Sequence, residues 1–409
     1  MAHKQSILKK IFHKSRRKIA KLYLNNFRSD VNQIAITGSY GKTTLTHFLY
    51  TILNNTDKTL RTDVNLDTIY NVPITALKLR DHKYIIFELG VDTIGEMDKH
   101  LEIVNPKISI INGIAPVHAD EEHMGSLENI IKEKRKLIEC LEEDEIAILN
   151  HNDEKVREMA SKTKARVLFY GYNNECDYQI SNLKINEQNV VFDLKTPKND
   201  YKSIQLNVLG GHNAVNLAGI IACAEELGLS KEQILDGVAM IEPLKGRLNI
   251  EDGPLGIKLI NDSLRSNTAS ARAGIEYLRN LKTESKKIMV LGAMGEIGEA
   301  SETEHRKIGE IITTEVADTL ICYAGETKFI YEESTIDNKY FVETPADVVN
   351  ILKDKLKKDD YLFIKGSLLK HMERVIMLLN NEEVNCNVTS CPLYNNCKVC
   401  KYRYTGYKT

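Results

Sequence analysis

The chain has 409 residues, more than one ordinary core can organise, so two or three domains are expected. Apolar residues at 42% and charged residues at 27% describe a folded globular protein, and the net charge of −2 gives no basic field for nucleic acid. No apolar run approaches the roughly 18 residues of a membrane span, and the start lacks the apolar core of a secretory signal. A cytoplasmic protein is the expectation.

Residues 1–28 carry nine Lys/Arg and no acid, with Ile7, Leu8, Ile11, Phe12, Ile19, Tyr23 and Phe27 at near-helical spacing. This basic amphipathic helix either packs on the first domain with its charges solvated or rests peripherally on an anionic membrane. The run Ile34-Ala-Ile-Thr-Gly38-Ser39-Tyr-Gly41-Lys42-Thr43-Thr44 then ends an apolar strand in two glycines and starts a new apolar pattern at once. A strand, a tight turn and a helix start form the geometry that holds a phosphate. Glycines let backbone N–H groups close on phosphate oxygens, Lys42 offers a point charge, and the Thr43 hydroxyl can ligate Mg²⁺. Only Ser39 and Tyr40 separate the glycines, where the general phosphate loop has four residues.

Apolar runs alternate with helical patterns as far as about Pro243, with strands expected at Tyr84–Glu88, Ile108–Asn112 and Ile146–Asn150 and a helix at Leu127–Leu141. The alternation implies βαβ units and a mainly parallel sheet. Glu88 then stands at a carboxyl strand end, where open α/β sheets bind ligands, and His118 reaches the same edge. Residues 167–208 read as a small antiparallel insert. In Gly210-Gly211-His212-Asn213-Ala-Val-Asn216, two amides three apart at a helix start project to one side and match the donor–acceptor pattern of an adenine edge. Capping by Asn213 is the structural reading of the same motif. A second α/β unit follows Pro243, with strands near Lys258–Ile260, Lys287–Leu291, Thr319–Cys322 and Tyr361–Ile364 and a hinge at Lys245-Gly246 or Gly253-Pro254.

Cys386-x4-Cys391-x5-Cys397-x2-Cys400 crowds the tail. In a reduced compartment these thiols fit a structural Zn²⁺ site better than disulfides, with an iron–sulfur cluster or loose thiols as the alternatives.

Several motifs in order resemble the Mur ligase family, within it the MurF branch: the short glycine loop, the run from His118 through Gly125-Ser126 to Lys134, and the segment at Asn213 and Asn216. Pro243-Leu-Lys-Gly246-Arg247, Asn261-Asp262-Ser263, Gly292-Ala-Met294-Gly-Glu296-Ile-Gly298 with His305, and Lys365-Gly366-Ser367 extend the likeness over roughly residues 34–380. The resemblance implies an α/β fold with a P-loop central domain on a mainly parallel sheet and a Rossmann-like C-terminal domain. It divides the chain into a basic helix (1–33), a central ATP-binding domain (34–242), a C-terminal ligase domain (243–380) and the cysteine tail (381–409).

It further implies an ATP-dependent amide ligase that activates a carboxylate as an acyl phosphate and joins it to an amino acid or dipeptide in cell-wall precursor synthesis. Gly38, Ser39, Gly41, Lys42, Thr43 and Thr44 would hold phosphates, Asn213 and Asn216 the adenine, and Arg247 and Asp262 the nucleotide. Two Mg²⁺ would sit on Thr43 with Glu88 and on His118 with Lys134, the lysine carbamylated by CO₂; Lys132 and Lys136 read as solvated. The substrate would be a small molecule or a lipid- or nucleotide-linked peptide.

The chain departs from the family where the N-terminal domain gripping the UDP-sugar would stand, in the loop from Asn65 to Pro73, in Leu264-Arg265-Ser-Asn267 and at Leu368. An amidating ligase of the MurT type with a glutaminase partner, an archaeal pseudomurein peptide ligase, and a scaffold that binds ATP without chemistry are the competing readings.

Overall fold

In the computed structural model residues 7–63, 68–116, 123–295, 297–391, 393 and 396–407 are described. The chain divides into two compact units, one of residues 1–183, 191–206 and 213–241, the other of 184–190, 207–212 and 242–409.

The first unit is built on a nine-stranded sheet. Its strands are β1 (Asn32–Thr37), β2 (Thr59–Arg61), β3 (Tyr84–Glu88), β4 (Ile108–Ile111), β5 (Ile146–Asn150), β6 (Arg166–Gly171), β7 (Tyr178–Ile185), β8 (Val190–Lys195) and β9 (Asp200–Leu206). They lie in the order β2-β3-β1-β4-β5-β6-β7-β8-β9. From β2 to β6 every pairing is parallel. Parallel strands buried on both faces need unbroken apolar runs, which Ile34-Ala-Ile and Ile146-Ala-Ile-Leu supply. Register aligns the carboxyl ends: Ile36 pairs with Glu88 and with Ile110 on its two flanks. The glycine turn after β1 and the acid that ends β3 therefore meet at one edge of the sheet.

The stretch 167–208 is not a separate insert. β6 pairs parallel with β5, and β7 continues the same sheet beside β6. Short turns closed by Asn186 N–H to the Asn189 carbonyl and Thr196 N–H to the Asn199 carbonyl, both at 2.9 Å, fold β7, β8 and β9 back on one another. Glu225, on the helix His212–Glu226, fastens this extension. Its buried carboxylate accepts the Tyr178 hydroxyl at 3.1 Å, the Tyr201 hydroxyl at 2.8 Å, Thr196 Oγ1 at 3.2 Å and the Asn199 amide at 2.7 Å. Burial, with the Glu225 charge and hydrogen bonds, pushes both phenols far above their usual pKa.

The amino-terminal helix Ile7–Phe27 lies on the helix Thr68–Lys78. Ala20 and Leu24 are fully buried, and the Tyr23 hydroxyl donates to the Leu79 carbonyl at 2.7 Å. Packing on the first unit, the blander of the two readings of the basic helix, is thus observed. Among the described residues no helix is long and apolar enough to cross a membrane.

The second unit carries a six-stranded sheet of β10 (Asn249–Asp252), β11 (Lys258–Asp262), β12 (Lys287–Gly292), β13 (Thr319–Tyr323), β14 (Lys339–Val342) and β15 (Tyr361–Lys365), ordered β10-β11-β15-β12-β13-β14. All pairings are parallel except β10 with β11. Two apolar clusters cover the sheet, one around Ile275, Met289 and Phe363, the other around Ile288, Leu352 and Leu362. Gly253-Pro254 is no hinge: it forms the turn between β10 and β11, closed by Gly253 N–H to the Ile257 carbonyl at 2.9 Å.

A single acid holding four donors makes a stability prediction. Glu225→Leu strands buried hydroxyls and an amide and should destabilise the chain by about 3 kcal/mol, read as a lowered denaturant midpoint. An unchanged midpoint would show that the acid does not hold β7–β9 to the helix.

Candidate active site

The turn after β1 is fixed before any ligand arrives. Gly38 has φ +149° and Gly41, which precedes the helix Lys42–Asn54, has φ +78°. A Cβ on Gly41 would come within 2.3 Å of the Asn112 amide nitrogen, so only glycine fits there. Ser39 N–H donates to the Gly113 carbonyl at 2.7 Å, and Ser39 Oγ to the Ala115 carbonyl at 3.0 Å. Asp153 steadies the turn from behind, accepting the Tyr40 hydroxyl at 3.0 Å and Ile114 N–H at 2.9 Å. This support from Asn112, Gly113 and Asp153 leaves no local signal, because their partners lie 39 to 113 residues away.

Lys42 Nζ folds back on the Gly38 carbonyl at 2.7 Å, at the mouth of the turn. Thr43 is buried, and its hydroxyl donates to Glu88 Oε1 at 3.0 Å; Thr44 is half-buried beside it. A hydroxyl and a carboxylate oxygen at this spacing present two hard oxygen donors to one point, the donor set that suits Mg²⁺.

Lys134 behaves unlike its neighbours. On the helix Leu127–Glu139, Lys132 is exposed beside Glu128, and Lys136 pairs at the surface with Asp98 and Glu133. Lys134 is 4% exposed, and among the described residues its amine makes no hydrogen bond or ion pair. Burial drives its pKa well below the usual lysine value; the charge of Lys42 adds to the shift, and Asp92, Glu133 and Glu96 oppose it. A shift in that direction favours the neutral, nucleophilic amine, the form that reacts with CO₂. Turning it into a carbamate would replace an unpartnered buried amine by an oxygen ligand, which fits a second cation. His118 and the loop residues Asn65, Leu66 and Asp67 lie outside the described residues. Asn71 and Pro73, expected in that loop, lie in the helix Thr68–Lys78, where Asn71 is buried and accepts the Asp63 N–H at 3.1 Å.

Asn213 and Asn216 are both buried at the start of the helix His212–Glu226, and the Asn216 amide donates to Asn213 Oδ1 at 2.9 Å. The two side chains do share one side of the helix.

In the second unit, Asp262 and Lys365 end β11 and β15 opposite each other. Lys365 Nζ donates to Asp262 Oδ2 at 2.6 Å and to the Arg265 carbonyl at 3.0 Å, while Asp262 Oδ1 accepts Leu248 N–H at 3.2 Å. The pair is buried, and it orients the Gly246-Arg247-Leu248 turn; Arg247 itself is half-buried. His212 is half-buried with its Nδ1 out of reach of water, and desolvation holds it near pKa 4 against the pull of Asp262. His305 is also buried and accepts Met294 N–H at Nε2 at 3.0 Å, so it braces the segment after β12. Glu296 of that segment lies outside the described residues.

A phosphate turn with lysine and threonine, an acid beside the threonine and a buried lysine of lowered pKa together define an ATP-dependent ligase of α/β architecture. The Mur ligase middle domain matches residues 36–224, and the Mur ligase glutamate ligase domain matches residues 246–368. The chain belongs to the Mur ligase family. It is 27% identical to the UDP-N-acetylmuramoyl-tripeptide–D-alanyl-D-alanine ligase of Bacillus subtilis over 363 residues, 88% of this chain and 77% of that one. To the same ligase of Haemophilus influenzae it is 29% identical over 365 residues, 86% of this chain and 77% of that one. Among solved structures, MurF from Acinetobacter baumannii superposes with a TM-score of 0.80 at 27% identity, covering 90% of this chain and 79% of that chain. MurF from Thermotoga maritima in complex with ADP shares the fold, with a TM-score of 0.80 at 23% identity over 90% of this chain and 84% of that chain.

Buried neutral histidines give the pH prediction. His100 is fully buried, donates to the Gly90 carbonyl from Nε2 at 3.0 Å, and is held near pKa 4 chiefly by desolvation. An unfolded histidine titrates near pH 6.5 (about the model-peptide value), so the unfolded chain binds the proton first. Stability is full above about pH 6.5 and falls as the pH drops toward 4. The melting temperature should decline over that window, less steeply in His100→Gln; equal slopes would show that His100 is protonated in the folded chain.

Proposed function

We propose that this chain is an ATP-dependent ligase of the MurF type that activates the carboxylate of a nucleotide- or lipid-linked peptide and joins it to an amino acid or dipeptide in cell-wall precursor synthesis. The observation that carries the reading is Lys134, a buried amine with no hydrogen-bond or ion-pair partner among the described residues, within electrostatic reach of Lys42 beside the phosphate turn. A scaffold that only bound nucleotide would gain nothing from that arrangement.

Joining a carboxylate to an amine in water is uphill, and two anions must first approach each other. A carboxylate oxygen attacks the γ-phosphorus and the bond to ADP breaks, giving an acyl phosphate. The amine then attacks the acyl carbon, phosphate leaves with the former carboxylate oxygen, and the extra amine proton passes to solvent. The N–H groups of the Gly38–Lys42 turn and the Lys42 ammonium stabilise the charge that gathers on the transferring group. Thr43 and Glu88 fit one Mg²⁺, and His118 with carbamylated Lys134 would hold a second; such ions neutralise phosphate and carboxylate charge. Asn213 and Asn216 would read the adenine, and Arg247 and Asp262 would hold the nucleotide.

Purified chain with Mg²⁺ and ATP should release ADP when given both UDP-N-acetylmuramoyl-tripeptide and D-alanyl-D-alanine, and not with either alone. ADP release with ammonia as the amine would instead select an amidating ligase served by a glutaminase. Lys134→Ala should lower turnover by about 100-fold or more, with partial rescue by a small carboxylate such as acetate. Full activity in Lys134→Ala would contradict the role given to it.

The amino-terminal helix offers a route to a lipid-linked substrate. Phe12, Ile19 and Leu22 share its outward side and are 61%, 57% and 56% exposed, among lysines and arginines with no acid. Exposed apolar groups set in positive charge suit an anionic lipid surface. The chain should co-sediment with vesicles containing phosphatidylglycerol but not with neutral ones, and Phe12→Asp with Ile19→Asp should abolish it. Equal sedimentation of both forms, or none with the wild type, would refute the contact.

A further inference from the structure

The last thirty residues cannot hold themselves in place by burial. Among the described residues of the tail the only regular element is the short turn Cys397–Val399, and its apolar seat is a cluster of Met377, Val384 and Cys397 with Leu378 against it. A segment with so small a core needs a cross-link or a metal. Yet it is laid down in detail. Asn385 N–H donates to the Arg403 carbonyl at 2.9 Å, which brings the two ends of the tail together, and Cys391 N–H donates to the Leu369 carbonyl at 2.9 Å.

Cys386, Cys391, Cys397 and Cys400 are all reduced, and all four line a single cavity together with His371 and Arg374. Three of them are 7% exposed. Arg374 supplies an independent sign of what the cavity holds. It is 1% exposed, and its guanidinium donates to the carbonyls of His371, Cys386, Lys370 and Val388 at 2.7–3.2 Å; among the described residues no carboxylate pairs with it. A buried cation that meets only carbonyls and stands beside four thiols favours negative charge on the sulfurs.

Among the described residues one trio of donor atoms, His371, Glu373 and Cys397, lies within 4.8 Å, while the four sulfurs line the cavity at wider spacing. The first two of the trio are already committed. His371 Nδ1 meets Glu373 Oε1 at 2.8 Å and its Nε2 meets the Leu393 carbonyl at 3.1 Å, while Glu373 Oε1 also accepts Cys397 N–H at 3.2 Å. They orient Cys397 and leave the thiols as the donors with capacity to spare.

We propose that Cys386, Cys391, Cys397 and Cys400 bind one Zn²⁺ as a tetrathiolate, and that this ion clasps the tail onto the segment Gly366–Arg374. Four S–H bonds break, four Zn–S bonds form, and four protons pass to solvent, with no change of oxidation state. The centre is closed and structural, because four thiolates leave no open position for substrate. Its consequence runs back to the ligase site: the clasped segment begins directly after Lys365, whose amine holds Asp262. Gly366 and Gly292 both pack against Met372, so the tail steadies the carboxyl ends of β12 and β15.

The full-length chain purified from zinc-supplemented cells should contain one zinc per chain, a readout independent of ligase activity. Co²⁺ added to the metal-free chain should give the visible bands of a tetrahedral thiolate site. Cys391→Ser and Cys400→Ser should each weaken Co²⁺ binding by at least about 100-fold, the upper range for loss of an outer-shell partner. His371→Asn should keep one zinc per chain. Absence of metal, a disulfide among the four cysteines, the absorbance of an iron–sulfur cluster, or zinc lost in His371→Asn but kept in Cys400→Ser would each overturn the proposal.

Discussion

The first unit is organised around a lysine taken out of water beside a phosphate turn. Lys42 stands at that turn, and burial, with the charge of Lys42 added to it, shifts Lys134 on the helix Leu127–Glu139 well toward its neutral form. Burying an amine in this way costs stability, and among the described residues no hydrogen bond or ion pair of Lys134 offsets it. The short turn, the Thr43–Glu88 pair and the register of β1 against β3 and β4 all put donors at the same sheet edge.

The second unit solves a complementary problem. Asp262 and Lys365 are brought face to face by the parallel register of β11 and β15, and each is satisfied by the other and by backbone groups. A buried pair of this kind contributes little net stability, but it fixes geometry, since removing either partner strands the other. What it fixes is the turn that bears Arg247 and the start of the segment against which the tail is laid. Position in the fold, more than strength, is its contribution.

Much of this was legible in the chain itself. The phosphate turn announced itself because glycine, lysine and threonine have few reasons to crowd between a buried strand and a helix. The central parallel strands of both sheets are readable from their unbroken apolar runs, whereas the short edge strands β2, β10 and β14, with polar residues among their few positions, were not foreseen. The extension from β6 to β9 was misread as separate because short strands with polar turns look self-contained. Its attachment depends on Glu225, whose partners lie 24 to 47 residues away. Lys134 was distinguished from Lys132 and Lys136 through family resemblance, although a local signal exists: it falls in line with Ile130, Leu137 and Ile138, the buried stripe of its helix. The bond between Lys365 and Asp262 spans 103 residues and leaves no trace in sequence. The cysteine spacing suggested a metal, but only the fold shows the four thiols around a buried arginine.

The central claim is that phosphate passes from ATP to a carboxyl oxygen and is then displaced by an amine. The direct measurement is isotopic: ligation with the carboxylate of the acceptor peptide labelled with ¹⁸O, followed by mass analysis of the released inorganic phosphate. One labelled oxygen per phosphate, appearing in step with the amide product, is the predicted result. Unlabelled phosphate beside a formed amide, or ATP hydrolysis that proceeds equally without the acceptor, would contradict the account.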